Sequence, residues 1–509
     1  MRNLWLSLAV TSIFIQSVAG AEPSEPSASA DEIKALLRRI EELEQKVKAL
    51  EAERANEQRK DATNTNQRIE DVDRKLSVLE RQRELDREAA EAQVKRGPKI
   101  AIGSDGLSVS TADTNFVLQI KGVLQVDSRT FFDDSGINQN NGFLLRRARP
   151  VLQGTVFRDF DFAFVPDFAP PGGPQIFDAY LNYRYNPSLQ FQAGKFKSPI
   201  GLEQLQADLD IFFNERSLVT DLVPNRDVGF ALHGDPMGGV FSYAAGIFTG
   251  IGDARNSSNV SFDDGIAYEG RIFFQPFRKM SAPGLQGLGF GVAGSYIKFD
   301  EPNSAGLPNT TGGTLPGYTT DGQQQFFAYN PASNAVVVAT GEHWRLSPQG
   351  YYYWGPFGLL GEYIISDQEV SRTVIAPLTS AHLDHRAWEV TGSWVLTGET
   401  ASYRGGVSPS HPFNPAVGGW GALQLVARHA KLNIDEAAFP LYSNPNSSAD
   451  SAASWSVGLN WYLNKNVGVK ASYSHTDFHG GGRSTGSTAP AAVTRQDENV
   501  FFTRVQLGF

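Results

Sequence analysis

The chain of 509 residues has a net charge of −10 and is 20% charged, 41% hydrophobic and 11% aromatic. The acidic balance argues against a nucleic-acid partner, which would need a basic face. The absence of cysteine excludes disulfides and thiolate metal sites. Beyond the N-terminal segment there is no apolar run of about 18 residues or more, so a membrane-spanning helix is not expected.

Residues 1–21 have the pattern of a secretory signal peptide. Arg2 supplies the positive charge, Leu4 to Val18 form a short apolar stretch, and Ala19-Gly20-Ala21 offers small residues for cleavage before Glu22. The apolar stretch is too short to serve as a retained membrane anchor. The next segment, residues 22–30 (EPSEPSASA), is predicted to be a Pro/Ser linker.

Residues 31–96 are predicted to form an α-helical coiled coil. Apolar residues recur at spacings of three and four, which is the pattern of a coiled-coil seam, at Ile33, Leu36, Ile40, Leu43, Val47 and Leu50. The pattern fades at 56–66 and resumes one residue out of phase at Ile69, Val72, Leu76 and Leu79, which indicates a discontinuity in the coil. The alternative is a single solvated helix, which would be only marginally stable.

From residue 97 the hydrophobic period changes to two. In Phe116–Val126, for example, Leu118 and Ile120 alternate with Gln119 and Lys121. A soluble sandwich would alternate too, but here tight connections such as Arg158-Asp159 take turns with long polar ones. Short turns at one end and long loops at the other are typical of outer-membrane barrels. An all-β fold is therefore predicted for residues 97–509.

The alternating segments predict a 16-stranded antiparallel transmembrane β-barrel. The last strand ends at Phe509, and a terminal aromatic residue is common in outer-membrane barrels. Residues 322–340 could form a strand or belong to a loop. The strands are expected near 115–130, 143–158, 160–168, 176–186, 188–197, 227–235, 239–249, 264–276, 286–299, 341–353, 357–368, 386–396, 419–431, 453–463, 466–477 and 498–509.

Several stretches resemble the phosphate-selective porin O/P family. They are FLLRRARPVLQGTVFRDFDFAFVPDFA (143–169), AGKFKSPIGLEQLQ (193–206), FNERSLVTDLVPNRDVGFALHGD (213–235), YYYWGPFGLLGEY (351–363), SWVLTGE (393–399) and GGWGALQLVARHAKLNID (418–435). The resemblance covers essentially all of 115–509. It implies a homotrimeric pore for small anions, with the loop after the fifth strand, residues 198–226, folded into the lumen as a constriction.

The resemblance also implies which residues line the anion pathway. The Arg-x-Arg pair on the second strand corresponds to Arg147 and Arg149, and the stretch leading into the folded loop to Lys195 and Lys197. Arg216 of the Glu-Arg-Ser motif and Arg226 before strand six complete the implied set. Strand alternation by itself places Lys121 of the first strand, together with Arg147 and Arg149 of the second, on the lumen face. Acidic residues nevertheless outnumber basic ones in 97–509.

Each of these basic residues also has a structural alternative. Arg147 and Arg149 could pair with Asp161, Asp167 or Asp178 on neighbouring strands. Lys195 and Lys197 could be mere charges at the base of the loop. Arg216 could tether the folded loop to an acidic wall residue instead of contacting an ion.

Signals for other chemistry are weak. Gly289 to Gly294 fits a G-x-G-x-x-G pattern, but a strand follows where a nucleotide site would need a helix. His382, Asp384 and His385 lie in a presumed external loop without a known metal-site spacing. No nucleophile elbow or zinc-protease helix is present in the sequence, so neither an enzyme nor a cofactor is expected.

The sequence therefore predicts an outer-membrane channel for passive diffusion of small hydrophilic solutes, with anions such as phosphate or polyphosphate favoured. The barrel would contact outer-membrane lipid, and the coiled coil would lie in the periplasm, where it could contact the cell wall. Two alternatives remain open. One is a structural protein that ties the outer membrane to the cell wall, and the other is an unselective general porin.

Overall fold

The computed structural model describes residues 30–132, 140–170, 172–254, 256, 264–299, 315–330, 336–373, 379–404, 406–482 and 495–509. The predicted signal peptide, and the predicted linker apart from Ala30, lie outside the described residues. The chain divides into two compact units between Lys95 and Arg96. Within the described ranges, no helix combines the length and apolarity needed to cross a bilayer.

The N-terminal unit contains the helix α1, Ala30–Arg96. Its 67 residues correspond to about 100 Å of helix at roughly 1.5 Å per residue. The helix continues through residues 56–66, so the loss of the heptad pattern there does not interrupt it. The seam residues Leu36 and Leu50 are 62% and 64% exposed. The helix therefore carries an apolar row that its own unit does not cover.

Sixteen strands within the described part of the C-terminal unit form a closed antiparallel barrel, as the sequence predicts. Each strand pairs with the next along the chain, and the last pairs with the first. The barrel strands are β3 (Val117–Phe132), β4 (Gly142–Val156), β5 (Phe160–Asp167), β6 (Gln175–Asn186), β7 (Leu189–Lys197), β8 (Arg226–Gly234), β9 (Phe241–Phe248), β10 (Ala267–Phe274), β11 (Leu288–Phe299), β14 (Val336–Trp354), β15 (Phe357–Thr373), β16 (Thr379–Val395), β17 (Ala422–Asn433), β18 (Ala449–Tyr462), β19 (Val467–Gly480) and β20 (Glu498–Gly508).

Two small hairpins accompany the barrel. The first, β1 (Lys99–Gly103) and β2 (Gly106–Ser110), pairs with the start of β3. The second, β12 (Tyr318–Thr319) and β13 (Gln325–Phe327), lies in the connection before β14. The uncertain region 322–340 is thus divided between a loop hairpin and the beginning of a barrel strand.

Short helices occur in the connections of the barrel. They are α2 (Leu202–Leu205), α3 (Pro236–Gly239) and the 3₁₀ helices Leu218–Leu222, Pro415–Val417 and Glu436–Ala438.

Side chains alternate between the lumen and the outer face of the barrel. In β16, Leu383 and Ala387 point inward and are fully buried, whereas Val390 and Trp394 point outward and are each 46% exposed. An outer face of exposed apolar residues is the surface that lipid covers. The alternation that predicted the strands therefore also separates the lipid face from the lumen face.

The predicted contrast between tight turns and long loops does not hold for every connection of the described barrel. Residues 396–421 connect β16 and β17 at the end where tight turns such as 355–356 lie. Within this connection Ala401 and Val407 are buried. They join an apolar cluster with Phe212 and Phe213 of the connection between β7 and β8. The lumen is thus filled in part from both ends.

Candidate functional site

The connection between β7 and β8, residues 198–225, folds into the lumen. Its 3₁₀ helix Leu218–Leu222 packs against β15, β16 and β17. One buried apolar cluster combines Ile200 of the loop with the wall residues Leu383 and Ala387. Burial of these side chains from water stabilises the inward position. We call residues 198–225 the inner loop.

Two further connections pack around the inner loop. Tyr318, Phe326 and Phe327 are fully buried and belong to the same apolar cluster. From the other end, the Tyr403 hydroxyl donates a hydrogen bond of 2.7 Å to the carbonyl of Leu202. The apolar packing therefore lies on the side of β15 to β18 and leaves the polar side of the inner loop facing β3 to β8.

Buried charges hold the beginning of the inner loop to the wall. The backbone N–H of Leu202 donates to Glu362 at 2.8 Å. Arg428 of β17 donates to Glu203 at 3.1 Å, and Glu203 also accepts from the N–H of Ser217 at 2.7 Å. A buried charge must be paired in this way because its desolvation is costly. The loop is thus tied both to the wall and to itself.

Glu215 ties the polar side of the inner loop to the opposite wall. Its two oxygens accept from Arg146 at 2.6 and 2.8 Å, in the forked arrangement that suits a guanidinium group. Arg129 donates to the same carboxylate at 3.3 Å, and Arg504 lies 3.8 Å from it. Three strands, β3, β4 and β20, therefore converge on one loop residue.

A β-bulge places Arg146 on the lumen side. The register between β3 and β4 shifts between Gln125, opposite Arg147, and Val126, opposite Leu145. Arg146 is the extra residue, and a bulge re-aims a side chain that strict alternation would point outward. Adjacent residues Arg146 and Arg147 consequently both reach the lumen.

Between the inner loop and β3 to β8 lies a cavity of about 300 Å³. Among the described residues, its charged lining consists of five arginines and four acidic residues, namely Arg146, Arg147, Arg149, Arg216, Arg226, Asp167, Asp208, Glu215 and Asp221. Forked guanidinium donors match the oxygens of carboxylates and phosphates. The arginines of the cavity are therefore suitable donors for an oxyanion, although the carboxylates of the cavity already accept hydrogen bonds from several of them.

Asp208 of the inner loop lies at the centre of the arginines. Its Oδ1 accepts from Arg216 at 2.7 Å, and its Oδ2 accepts from Arg149. The Nε of Arg147 lies 3.4 Å from the same Oδ2. Arg216 also donates to the carbonyl of Gln206 at 2.8 Å. Arg216 thus braces the inner loop internally, and both oxygens of Asp208 are occupied by arginines.

Phe177 on β6 supports two further guanidinium groups. Arg149 and Arg226 lie over its ring at 3.5 and 3.4 Å from the centroid. Arg149 also pairs with Asp167 at 2.6 Å, and Arg226 with Asp178 at 3.2 Å. Cation–π contact and ion pairing together fix the direction of both arginines toward the cavity.

The pKa values of the two loop carboxyls support permanent charge. The pKa of the Asp208 carboxyl is held well below its usual range. Burial alone would raise this pKa, but the positive charges of Arg147 and Arg216, among others, outweigh the effect of burial. Burial also raises the pKa of Glu215, and Arg146 contributes most to holding it below its usual range. Both groups are therefore ionised at neutral pH.

None of the three predicted lysines belongs to the cavity lining, but Lys197 lies beside it. The Nζ of Lys197 donates to the carbonyl of Gln206 at 2.6 Å, at the base of the inner loop. Lys195 is buried on β7 but does not line the cavity. Lys121 is on the lumen phase of β3 but pairs with Val151, nearer the tight-turn end than Arg149. The structure thus brings together Arg147, Arg149, Arg216 and Arg226, with Lys197 beside Arg216 on the same carbonyl, and places Lys195 and Lys121 outside the cavity lining.

Sequence reasoning missed several cavity residues. Arg146 depends on the bulge, and Asp208 depends on the fold of a loop without periodicity. Phe177 falls within the predicted strand 176–186, but nothing in the sequence indicates that its ring supports arginines. The adjacent pair Arg146-Arg147 was the available signal, because two successive charges on a strand are unusual where one face meets lipid.

The other motifs are structural. His382 and Asp384 point to the outer face of β16, where His382 pairs with Asp367 at 3.0 Å. His385 points inward and contacts the Tyr329 hydroxyl at 2.8 Å. Their assignment to an external loop was wrong, because β16 begins at Thr379. Gly289 to Gly294 lies within β11, which continues as a strand to Phe299.

A closed antiparallel barrel with an apolar outer face, a polar lumen and an inward-folded loop is the architecture of an outer-membrane porin. Residues 118–509 match the family model of phosphate-selective porins O and P. The chain belongs to this family of porins, which are channels and not enzymes.

The chain is similar to Porin O of Pseudomonas aeruginosa, with 24% identity over 412 residues that span 76% of this chain and 90% of the relative. Among solved structures it is similar to OmpT of Vibrio cholerae, with 13% identity and a TM-score of 0.47 over 81% of this chain and 100% of that one. It is also similar to the outer-membrane channel DcaP of Acinetobacter baumannii, with 9% identity and a TM-score of 0.49 over 78% and 98% of the two chains.

Proposed function

We propose that this porin is a passive diffusion channel that favours small anions, with phosphate or polyphosphate as the preferred class. The observation that carries the proposal is the cavity beside the inner loop, into which five arginines project among the described residues. Arginine binds oxyanions through paired N–H donors and stays charged at any physiological pH. An anion in the lumen would exchange part of its hydration for these donors.

Local charge supports this preference despite the net charge of −10. Selectivity depends on the groups at the narrowest part of a pore and not on the total charge of the protein. The described lining has five arginines against four acidic residues, so its excess charge is positive. Positive charge between low-dielectric walls raises the local concentration of anions. The carboxylates among the arginines keep the attraction weak enough for release, which conduction requires.

The purified porin in a planar bilayer, under a KCl gradient, is expected to give a reversal potential of the sign for chloride preference. The preference should grow at low ionic strength, because the Debye length lengthens to about 30 Å at 0.01 M. Added phosphate should reduce the chloride current by occupying the arginines. A reversal potential near zero would favour an unselective porin, and a barrel without conductance would favour a purely structural envelope protein.

We also propose that the porin is a homotrimer whose three α1 helices pair in the periplasm as a coiled coil. The exposed seam residues of α1, including Leu36 and Leu50, are the apolar row such pairing would bury. β3 begins at the barrel end with tight turns, which is the periplasmic end in outer-membrane barrels, and the segment before it in the chain is therefore proposed to be periplasmic. A helix in this position could also contact the cell wall.

The trimer proposal predicts the mass of the assembly in mild detergent. The full chain should have the mass of three protomers. A variant lacking residues 31–96 behind an intact signal peptide should keep three, because barrel contacts would bury more area than the helices. Light scattering with detergent correction measures both masses. A mass of two protomers for the full chain would contradict the proposal, since Ile or Val at a with Leu at d also suits two-stranded coils.

A further inference from the structure

Asp208 stands where a bound oxyanion would be expected in the cavity. Its two oxygens accept from Arg216 and Arg149, while Arg147 lies 3.4 Å away. Both oxygens of one carboxylate thus meet guanidinium donors, which is the arrangement arginines offer to carboxylate and phosphate alike. The side chain is 6% exposed, so water competes little for these donors.

We propose that the carboxylate of Asp208 is a built-in competitor for the permeating anion. It occupies the guanidinium donors that phosphate would use, and it thereby sets a weak affinity of the pore for phosphate. The proposal rests on the proposed anion function and identifies a residue that determines specificity at the same site. A permeating oxyanion must share or displace this carboxylate to reach Arg147 and Arg149.

The position of Asp208 distinguishes it from the acidic residues that hold the loop in place. Glu215 binds Arg146, Arg129 and Arg504 of three strands and is a tether. Asp208 binds Arg216 of the same loop and also joins the loop to β4 through Arg149. All three arginines around Asp208 line the cavity, whereas of the three around Glu215 only Arg146 does.

Low affinity is a functional requirement in a diffusion pore. A cluster of arginines without a counter-charge would hold a multivalent anion too strongly for rapid release. A carboxylate on the inner loop reduces the positive potential and leaves the arginines in place. An anion entering the cavity then exchanges with a fixed group of like charge, which favours its departure.

The test compares the wild type with Asp208→Asn in planar bilayers, with inorganic phosphate added to a KCl solution. The amide keeps the shape of the side chain and removes its charge. The phosphate concentration that halves the chloride current should fall by about tenfold or more, which is the scale of one charge-assisted hydrogen bond. The reversal potential should also move further in the direction of chloride preference.

Asp321→Asn is the matched control. Asp321 is also a buried loop carboxylate paired with a wall arginine, Arg428, at 2.8 Å. It is absent from the lining of the cavity. Its variant should keep the phosphate sensitivity of the wild type. Equal changes in both variants, or an unchanged Asp208→Asn channel, would overturn the proposal.

If Asp208→Asn does not fold, a loss of heat-modifiable electrophoretic mobility would reveal it, and a second comparison then tests the proposal. Arg216→Gln alone should weaken the phosphate effect, and Arg216→Gln with Asp208→Asn should restore it, because the pair removes opposite charges together. If the double variant is no more sensitive to phosphate than Arg216→Gln alone, the proposal is overturned.

The same data separate this inference from the proposed function. If the wild type prefers anions and Asp208→Asn behaves identically, the competitor role alone is wrong. If wild type and variant both prefer cations and neither current responds to phosphate, the proposed anion function itself is wrong.

Discussion

Glu215→Gln is expected to raise the single-channel conductance by about twofold or more, because an inner loop released from one wall leaves a wider lumen. The Glu215 carboxylate accepts from Arg146 at 2.6 and 2.8 Å and from Arg129 at 3.3 Å. Removing one partner of a buried ion pair costs about 3–5 kcal/mol, since the remaining charge is left uncompensated. Conductance in planar bilayers at high salt measures the effect.

Glu436→Gln is the matched control for Glu215→Gln. Glu436 is an exposed acidic residue in the 3₁₀ helix Glu436–Ala438, so its loss should leave the conductance unchanged. A Glu215→Gln barrel that folds and keeps the wild-type conductance would contradict the tether role. In that case the apolar packing of Leu218–Leu222 against β15 to β17, with the remaining polar ties, would hold the inner loop without Glu215.

The strands were predictable because the physical cause is local. Each barrel strand has lipid on one side and a polar lumen on the other, so the chain alternates with period two. The prediction shortened β16, which begins at Thr379 and not near 386. Its outward residues there, such as His382 and Asp384, are polar. β16 extends beyond the apolar belt of the barrel. In that part the outward residues are polar, so alternation no longer marks them as an apolar face.

The inner packing was not predictable in the same way. Phe326 and Phe327 are apolar because they pack in the lumen against the inner loop, not because they face lipid. Periodicity cannot distinguish these two reasons for an apolar residue. The ambiguity of residues 322–340 in the sequence has this physical origin.

The candidate site was predictable in part. Alternation put Arg147 and Arg149 on the lumen face, and the family resemblance supplied Arg216 and Arg226. The bulge that turns Arg146 inward is set by pairing between β3 and β4, which one strand's sequence does not encode. Asp208 meets its arginines only after the loop has folded, so no local pattern indicates the competition between fixed and permeating anions.

Replacing Arg149 and Arg226 together with Gln is expected to remove most of the anion preference. A unit charge about 10 Å from an ion contributes about 1.7 kcal/mol at an effective dielectric constant of 20, or more than tenfold in local concentration. The loss of two such charges should lower the local chloride concentration by more than about a hundredfold before screening. The chloride-to-potassium permeability ratio should fall further, because the local potassium concentration rises as that of chloride falls. The reversal potential under a KCl gradient gives this ratio.

Two controls separate charge from structure in this experiment. Lys465→Gln removes one positive charge at the tight turn between β18 and β19, where Lys465 is exposed and pairs with Asp105 at 2.6 Å. It should leave the permeability ratio unchanged. Phe177→Leu removes the ring beneath Arg149 and Arg226 but keeps both charges, so most of the preference should survive. If the double arginine variant kept the wild-type ratio in a folded barrel, these arginines would have no part in selectivity, and their pairs with Asp167 and Asp178 would be purely structural.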